Sequence, residues 1–301
     1  MGFFDVLFDP GMSWMRNALL AGLLSAVLFG ILGSLVTVKR IASLAGAISH
    51  AVLGGIGMAL FLSTTGRAPW MTPLVGAVIF ALLSAGLIAL VSFKAKQRED
   101  TVINAIWAIG MSVGILFMAR TPGYAEPSRY LFGNILLIGT LDLWLLAALD
   151  LVVIFLAWRF YPQLKASAFD EEFARVRGVR VDLVFLGLLA VTAVAIVLLQ
   201  SFVGIVMVIA MLTLPAGTAA YAAKSLSGMM LMATLFSAGF SLGGLGLGWV
   251  LDLPVGAMTV VISGAVFLAV SALSLLRVRA ARRRAAVEVV PEAKRGREAR
   301  P

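Results

Sequence analysis

The chain has few residues that could bind a metal ion or move a proton, and these lie in strongly apolar surroundings. His50 is the single histidine among 301 residues, and cysteine is absent from the sequence. One imidazole excludes HExxH hydrolases and zinc sites built from several histidines, and the lack of cysteine excludes disulfide scaffolds and thiolate metal sites. Asp150 lies in the middle of the apolar run LWLLAALDLVVIFLAW. A carboxylate in such a run needs a partner, either a neighbouring helix or a cation.

The histidine belongs to a segment that is dense in small residues. This segment, VKRIASLAGAISHAVLGGIGMALF, covers residues 38–61. Glycine and alanine at this density let helix backbones approach closely and leave room for a pathway between them. An ionisable group about one turn into an apolar helix is costly in lipid, so His50 should face the protein interior or water. We interpret it as either a buried core histidine or a ligand on a pathway.

The composition requires that the elements carrying these residues lie in a membrane. The chain is 61% hydrophobic and 13% charged, with a mean hydropathy of +1.03, whereas soluble domains are about half apolar and a quarter charged. The apolar runs predict an all-α polytopic membrane protein with about nine transmembrane helices. The predicted spans are approximately 17–38, 47–65, 73–93, 102–119, 141–158, 183–200, 202–221, 229–250 and 255–276. The boundary at Gln200 and Ser201 has the weakest marker, and residues 128–139 are too short to cross.

Basic residues predict the orientation of these spans. Of the 24 lysines and arginines, 20 fall in alternate connections and in the C-terminal tail, and only Arg16, Arg67, Arg120 and Arg129 fall on the other side. The positive-inside rule then places the N-terminus outside and the C-terminus in the cytoplasm. The chain divides into an extracytoplasmic interfacial segment at 1–16, a transmembrane domain at 17–276 and a basic, disordered cytoplasmic tail at 277–301. The net charge of +9 then faces anionic lipid headgroups, and no nucleic-acid partner is expected.

The longest cytoplasmic connection contains AFDEEFARVRG, which predicts a short capped helix. Asp170 can cap its N-terminus, Glu171 and Arg175 have the spacing of an i to i+4 ion pair, and Gly178 can close its C-terminus. The helix is either a platform that contacts a cytoplasmic partner or an amphipathic linker on the bilayer surface.

A second cytoplasmic feature is LTLPAGTAAYAAKSLSGMM, residues 212–230. Pro215 should kink or end a helix there, and the small residues that follow allow close approach of another helix or protein. Lys224 and Ser225 superficially suggest a P-loop, but Ala223 stands where that motif needs glycine. We therefore expect no nucleotide site in this chain.

Several of these segments together resemble a known family. Residues 39–60, EDTVINAIWAIGMSVGILF, TPGYAEPSRYLFGNIL, SAFDEEFARVRGV and VGIVMVIAMLTLPAGTAAY are similar, in this order, to the membrane permease of manganese, zinc and iron ABC importers. The resemblance extends from about Ala18 to Leu276. It implies a permease homodimer, cytoplasmic ABC ATPase subunits and an extracytoplasmic metal-binding protein. It also implies that Pro215–Gly228 couples to the ATPase, through Pro215, Ala216, Gly217, Ala219 and Lys224.

The resemblance has one departure at the expected metal pair. The family commonly carries aspartate four residues before the histidine, and this chain has Gly46 there. The resemblance therefore implies a weaker metal site, or one completed by another residue. The candidate ligands besides His50 are Asp150, Asp142, Glu126 and Asn104.

These observations favour a transport subunit over an enzyme. We expect an ABC importer permease for a divalent transition metal (zinc, manganese or iron), with no permanently bound cofactor, in a bacterial inner membrane. An ion-coupled secondary transporter of a small solute is the alternative, although the sequence has no clear internal repeat and few embedded acids. An intramembrane enzyme lacks paired catalytic groups.

Overall fold

The computed structural model describes residues 11–94, 99–123, 130–131, 133 and 135–298, with the backbone alone for 94, 99 and 280–298. This part of the chain is helical and contains no strand, which confirms the all-α fold class. Its helices are α1 (Ser13–Val38), α2 (Ala42–Thr64), α3 (Pro73–Lys94), α4 (Glu99–Arg120), α5 (Thr140–Arg159), α6 (Tyr161–Phe169), α7 (Glu171–Val176), α8 (Val181–Ala220), α9 (Leu226–Leu251) and α10 (Val255–Glu298). A 3-10 turn, Ile135–Leu137, precedes α5.

Helix α8 is 40 residues long, and it makes two passes. A straight helix of that length would measure about 60 Å, twice the hydrocarbon core of a bilayer. Gly204 interrupts it with φ 80° and ψ 163°. Leu188 lines a cavity together with Leu32 of α1, and the backbone oxygen of Leu212 lies against the next α1 residue, Gly33. In a straight helix Leu188 and Leu212 would be about 36 Å apart, so the chain folds back at Gly204.

The described residues contain eight helices that are long and apolar enough to cross a membrane. Because α8 crosses twice, they make nine passes, the number that the sequence predicts. The turn lies at Gly204 and not at Gln200–Ser201, where we expected it from polarity. Gln200 is inside the helix and 1% exposed. The backbone angles of Gly204 are open almost only to glycine, and this conformational requirement sets the boundary.

The irregular segment before α5 supports this turn. Gly133 has φ 60°, and a Cβ atom built on it would lie 2.7 Å from the backbone oxygen of Phe202. The segment therefore packs directly on the backbone beside Gly204. Non-helical backbone at membrane depth is tolerated where protein buries it. Only part of the predicted interfacial stretch 128–139 lies among the described residues.

The two helices α6 and α7 form the connection between α5 and α8. The carboxylate of Asp170 accepts a hydrogen bond from the backbone N–H of Phe173 at 2.9 Å, and Gly178 follows the helix with φ 81°, so both predicted caps are confirmed. The predicted Glu171–Arg175 pair is wrong. Glu171 bonds the buried Lys39 of α1 at 2.9 Å. Arg175 instead pairs with Asp182 at the start of α8, and this hydrogen-bonded carboxylate raises the pKa of Arg175.

The last helix continues beyond the membrane. Helix α10 ends at Glu298, so most of the tail 277–301, which we expected to be disordered, is helical. Its sequence, RVRAARRRAAVEVV, is rich in arginine and alanine. These residues have high intrinsic helix propensity and need no apolar core to continue a helix. Helices α5 and α10 are the most exposed of the spans, and α1 and α2 are the most buried.

Candidate functional site

Helix α2 carries His50, and glycines bring its backbone against two neighbouring helices. A Cβ atom built on Gly110 of α4 would lie 2.5 Å from the Cα atom of Ala51, and one on Gly54 would lie 2.7 Å from the backbone oxygen of Gly110. On another side, Gly55 contacts the backbone of Gly76 of α3. No side chain larger than hydrogen fits at these contacts. The small-residue run therefore packs helices together, as the sequence predicts.

His50 is half-buried and contacts an aromatic ring of α4. Its imidazole stacks on the indole of Trp107, with ring centroids 4.5 Å apart and an interplanar angle of 18°. The Nδ1 atom is shielded from solvent and has no hydrogen-bond partner among the described residues. Nε2 is therefore the nitrogen left to bind a cation. A purely structural histidine would have its ring nitrogens hydrogen-bonded by the protein, and Nδ1 of His50 is not. This observation favours the interpretation of His50 as a ligand.

Gly46 lies one helical turn before His50, at the position where the family commonly carries aspartate. A Cβ atom built on Gly46 would have no atom within 4 Å. Open space is therefore present beside the imidazole on the same helix face. Asn104 of α4 is exposed and lies one turn before Trp107. The packing of α2 against α4 places it near the level of Gly46.

Asp150 lies elsewhere, on α5. Its side chain is 5% exposed, and neither carboxylate oxygen has a hydrogen-bond partner within the described part of the chain. It shares the buried face of α5 with Leu146 and Val153, and this helix packs mainly on α1. Asp150 therefore does not bond His50. The sequence predicts that this carboxylate has a partner, either a neighbouring helix or a cation; among the described residues no neighbouring helix supplies one, and the structure does not join Asp150 and His50 into one site.

The remaining candidate ligands do not complete a metal site. The carboxylate of Asp142 accepts a hydrogen bond from the backbone N–H of Gly139 at 3.0 Å and so caps α5. Glu126 lies outside the described residues. Among those that are described, no three His, Asp or Glu side chains are close enough to share a metal ion. His50 is the one predicted ligand that combines a half-open position with a free ring nitrogen.

The predicted coupling residues are mostly buried by the chain itself. Ala216 and Ala219 are 0% exposed and pack with Met229 and Ala233 of α9. Pro215 is also buried, and the helix continues past it to Ala220. A Cβ atom on Gly217 would lie 3.0 Å from the Phe267 ring of α10. Of the five residues, only Lys224 is exposed, because the small residues of this segment pack on the protein's own helices.

Trp107 is the residue that sequence reasoning missed. It belongs to the segment EDTVINAIWAIGMSVGILF, which we used only for its resemblance. A tryptophan well inside a span, away from the membrane interface that this residue prefers, is the signal that could have identified it. The α4 sequence also contains Gly110 and Gly114 at GxxxG spacing, which predicts a close helix contact on this side.

Comparison with known proteins agrees with this architecture. The model of the ABC 3 transport family matches residues 11–274. A "Probable metal transport system membrane protein" of Chlamydia trachomatis is 34% identical over 96% of each chain. The manganese import system permease protein ScaB of Streptococcus gordonii is 29% identical, over 85% of this chain and 89% of ScaB. The solved structure of PsaBC from Streptococcus pneumoniae in complex with Fab has a TM-score of 0.78 at 27% identity, covering 89% of this chain and 94% of that one. The family match over most of the chain confirms the resemblance seen in its motifs: the chain belongs to the ABC 3 transport family.

Proposed function

We propose that this chain is the membrane permease subunit of an ATP-driven importer that moves a divalent transition metal ion into the cytoplasm. The family match over residues 11–274 carries this proposal. Manganese is the favoured cargo because the relative ScaB is named as a manganese import permease. Zinc and iron accept the same imidazole and oxygen ligands, so they are the metals to compare.

His50 is the proposed point of contact with the metal during passage. The imidazole stacks on Trp107, and its Nδ1 atom has no hydrogen-bond partner among the described residues. The space at Gly46, on the same helix face, is open. A single imidazole binds a divalent ion weakly, and weak binding suits a permease because the ion must leave again. Asp150, Asp142 and Glu126 were also candidate ligands. We give Asp142 a structural role as a helix cap, because its carboxylate already bonds the start of α5.

The proposed partner surface for the ABC ATPase is α7 together with Phe169, the last residue of α6. Phe169, Phe173 and Val176 are 65%, 51% and 87% exposed. Large apolar side chains exposed on a helix outside the membrane passes mark contact either with another protein or with the bilayer surface, and we assign this surface to the ATPase. Because α7 is held to α1 by the Lys39–Glu171 bond, movement of the ATPase at α7 would reach the membrane helices directly. We propose this surface as the alternative to Pro215–Gly228, because the chain buries Pro215, Ala216 and Ala219 of that segment.

The remaining parts of the proposal follow the charge distribution and the family resemblance. We place the N-terminus outside and the C-terminus in the cytoplasm of a bacterial inner membrane, and we place a second permease copy and an extracytoplasmic metal-binding protein in the complex. The excess of 20 among 24 basic residues on one side supports this orientation. A reporter that is active only in the cytoplasm should work after Ala280 and fail when fused within residues 64–73. The reverse pattern would overturn the orientation.

Uptake in cells tests the transport proposal. Cells that carry the chain with its ATPase should accumulate Mn²⁺, Zn²⁺ or Fe²⁺ faster than cells without it, and an ATPase defective in hydrolysis should remove the difference. His50→Ala should abolish uptake at an unchanged amount of protein in the membrane. Ser49→Ala is the matched control, because Ser49 is the buried neighbour whose hydroxyl bonds only the backbone of Ala45. Uptake that persists without ATP hydrolysis and stops when the proton gradient collapses would favour the secondary transporter instead.

A further inference from the structure

A cavity of about 700 Å³ lies between α1, α5 and the first half of α8. It is separate from His50, and the proposed transport path does not use it. Its walls are aliphatic side chains from all three helices, including Leu32, Leu35, Val153, Leu156, Leu188 and Val191. An apolar cavity of this size between membrane helices suits a flexible hydrocarbon chain better than a metal ion.

The depth of the cavity matches one leaflet of the bilayer. Its lining extends from Arg180, at the start of α8, to Val191. These residues are 11 positions apart, which corresponds to about 16 Å along a helix. Half of a hydrocarbon core of about 30 Å is about 15 Å. The cavity therefore extends from the membrane surface to the neighbourhood of the midplane.

The mouth of the cavity is basic and polar. Arg177, Gly178 and Arg180 line it and are exposed, and Gln163 lines it from α6. In the described part of the chain, neither Arg177 nor Arg180 has a carboxylate within ion-pair distance, whereas Arg175 of α7 is paired with Asp182. Arg177 only contacts the Phe173 ring, at 5.0 Å.

Gln163 adds an independent polar feature at this mouth. Its side-chain oxygen is shielded from solvent and has no hydrogen-bond partner among the described residues. A shielded amide oxygen without a donor is unfavourable, and because solvent does not reach this oxygen, a ligand does not reach it either. The mouth thus combines two cations free to bind an anion with a polar amide beside the apolar walls.

We propose that this cavity is a binding site for an anionic phospholipid. One acyl chain would fill the space between the apolar walls, and the phosphate would lie between Arg177 and Arg180. Basic residues at helix ends bind anionic headgroups in this way. The choice of the cytoplasmic leaflet rests on the proposed orientation, but the site itself does not depend on transport activity.

Native mass spectrometry of the purified full-length chain tests the proposal. After delipidation in detergent, the protein should retain added phosphatidylglycerol in preference to phosphatidylcholine with the same acyl chains. Arg177→Gln and Arg180→Gln should each lower that preference about fivefold. Lys224→Gln is the matched control, because it removes an exposed cytoplasmic charge that does not line the cavity. A preference that survives both arginine substitutions would overturn the headgroup assignment.

A second pair of variants tests the acyl-chain part. Gly187 lines the cavity, and a Cβ atom on it would have no atom within 4 Å, so Gly187→Trp should place an indole inside and reduce bound phosphatidylglycerol at least tenfold. Gly86→Trp on α3 has the same open surroundings but lies outside the cavity, and it should leave lipid binding unchanged. Equal loss in both variants would contradict the site. If Gly187→Trp changes the oligomeric state and not lipid binding, a second copy of the chain covers the cavity and the proposal is wrong. Metal uptake is measured separately, so an inactive transporter that binds lipid refutes only the proposed function.

Discussion

The imidazole of His50 lies flat against the indole of Trp107, at 4.5 Å between ring centroids. This stack joins α2 and α4 at the point where glycines also bring their backbones together. Ring-on-ring contact restricts rotation of the imidazole, and the shielded Nδ1 leaves Nε2 as the free nitrogen. Trp107 therefore acts as a positioning residue for the histidine, while it remains 40% exposed itself.

Removal of the indole should weaken metal handling without removing the histidine. An aromatic pair contributes about 0.5–1.5 kcal/mol, which corresponds to about a two- to twelvefold change in an equilibrium constant. We expect Trp107→Ala to raise the KM for metal uptake within that range and Trp107→Phe to restore most of the loss. Uptake at varied metal concentration gives KM and maximal rate separately.

The matched control for Trp107 is Trp144→Ala, because Trp144 is 75% exposed on α5 and has no such stack in the described structure. It should leave KM unchanged. If both alanine variants lower uptake equally, or if Trp107→Phe behaves like Trp107→Ala, the effect is not due to stacking on His50.

Much of the architecture could be predicted because long apolar runs form the helices that cross a bilayer. The number of passes, the caps at Asp170 and Gly178 and the close packing around His50 followed from local sequence. Contacts between distant segments did not. The i to i+4 spacing suggested a Glu171–Arg175 pair, but Lys39, 132 residues away along the chain, takes the carboxylate. From the sequence, Ala216 and Ala219 are available to a partner. In the fold α9 covers them, and the local sequence gives no sign of this contact.

Gly46→Asp should rebuild a carboxylate–imidazole pair on one face of α2. The open space at Gly46 accepts the side chain without displacing a neighbour, so the variant should reach the membrane in normal amounts. A carboxylate one turn from His50 adds an oxygen ligand to the imidazole, and the site should bind the metal more tightly. We expect a lower KM together with a lower maximal uptake rate, because tighter binding slows release.

Gly110→Asp provides the contrast for this variant, because any Cβ atom at Gly110 would lie 2.5 Å from the Cα atom of Ala51. It should reduce the amount of protein in the membrane. Uptake by Gly46→Asp with KM, rate and metal preference all unchanged would show that the metal does not pass beside this face of α2.

The exposed residue Val176 tests which of the two proposed surfaces binds the ATPase. Val176 is 87% exposed and makes no aromatic or ionic contact in the described structure, so Val176→Asp should change folding stability by no more than about 0.5 kcal/mol. A charge in the apolar centre of an interface should nevertheless reduce ATPase association at least fivefold. Co-purification of the ATPase with the tagged permease measures the loss, and metal uptake should fall with it.

Two variants within Pro215–Gly228 complete this test. Lys224→Asp reverses the exposed charge of the turn before α9 and should leave association intact. Ala219→Asp places a charge in a fully buried position, so it should lower the amount of folded protein. Loss of association with Lys224→Asp, at normal association with Val176→Asp, would return the coupling surface to Pro215–Gly228 and contradict the assignment to α7.

The turn that divides α8 depends on glycine at position 204. Its φ of 80° and ψ of 163° lie in a region that side chains other than hydrogen avoid, at a cost of about 1–3 kcal/mol. Gly204→Ala should therefore lower the free energy of unfolding by about that amount, visible as a lower Tm of the purified protein in detergent. Gly86→Ala is the control, since Gly86 is helical, exposed and open around its Cβ position; it should be neutral or slightly stabilising. An unchanged Tm for Gly204→Ala would show that the two passes do not turn at this residue. The count of nine passes, which rests on this turn, would then be wrong.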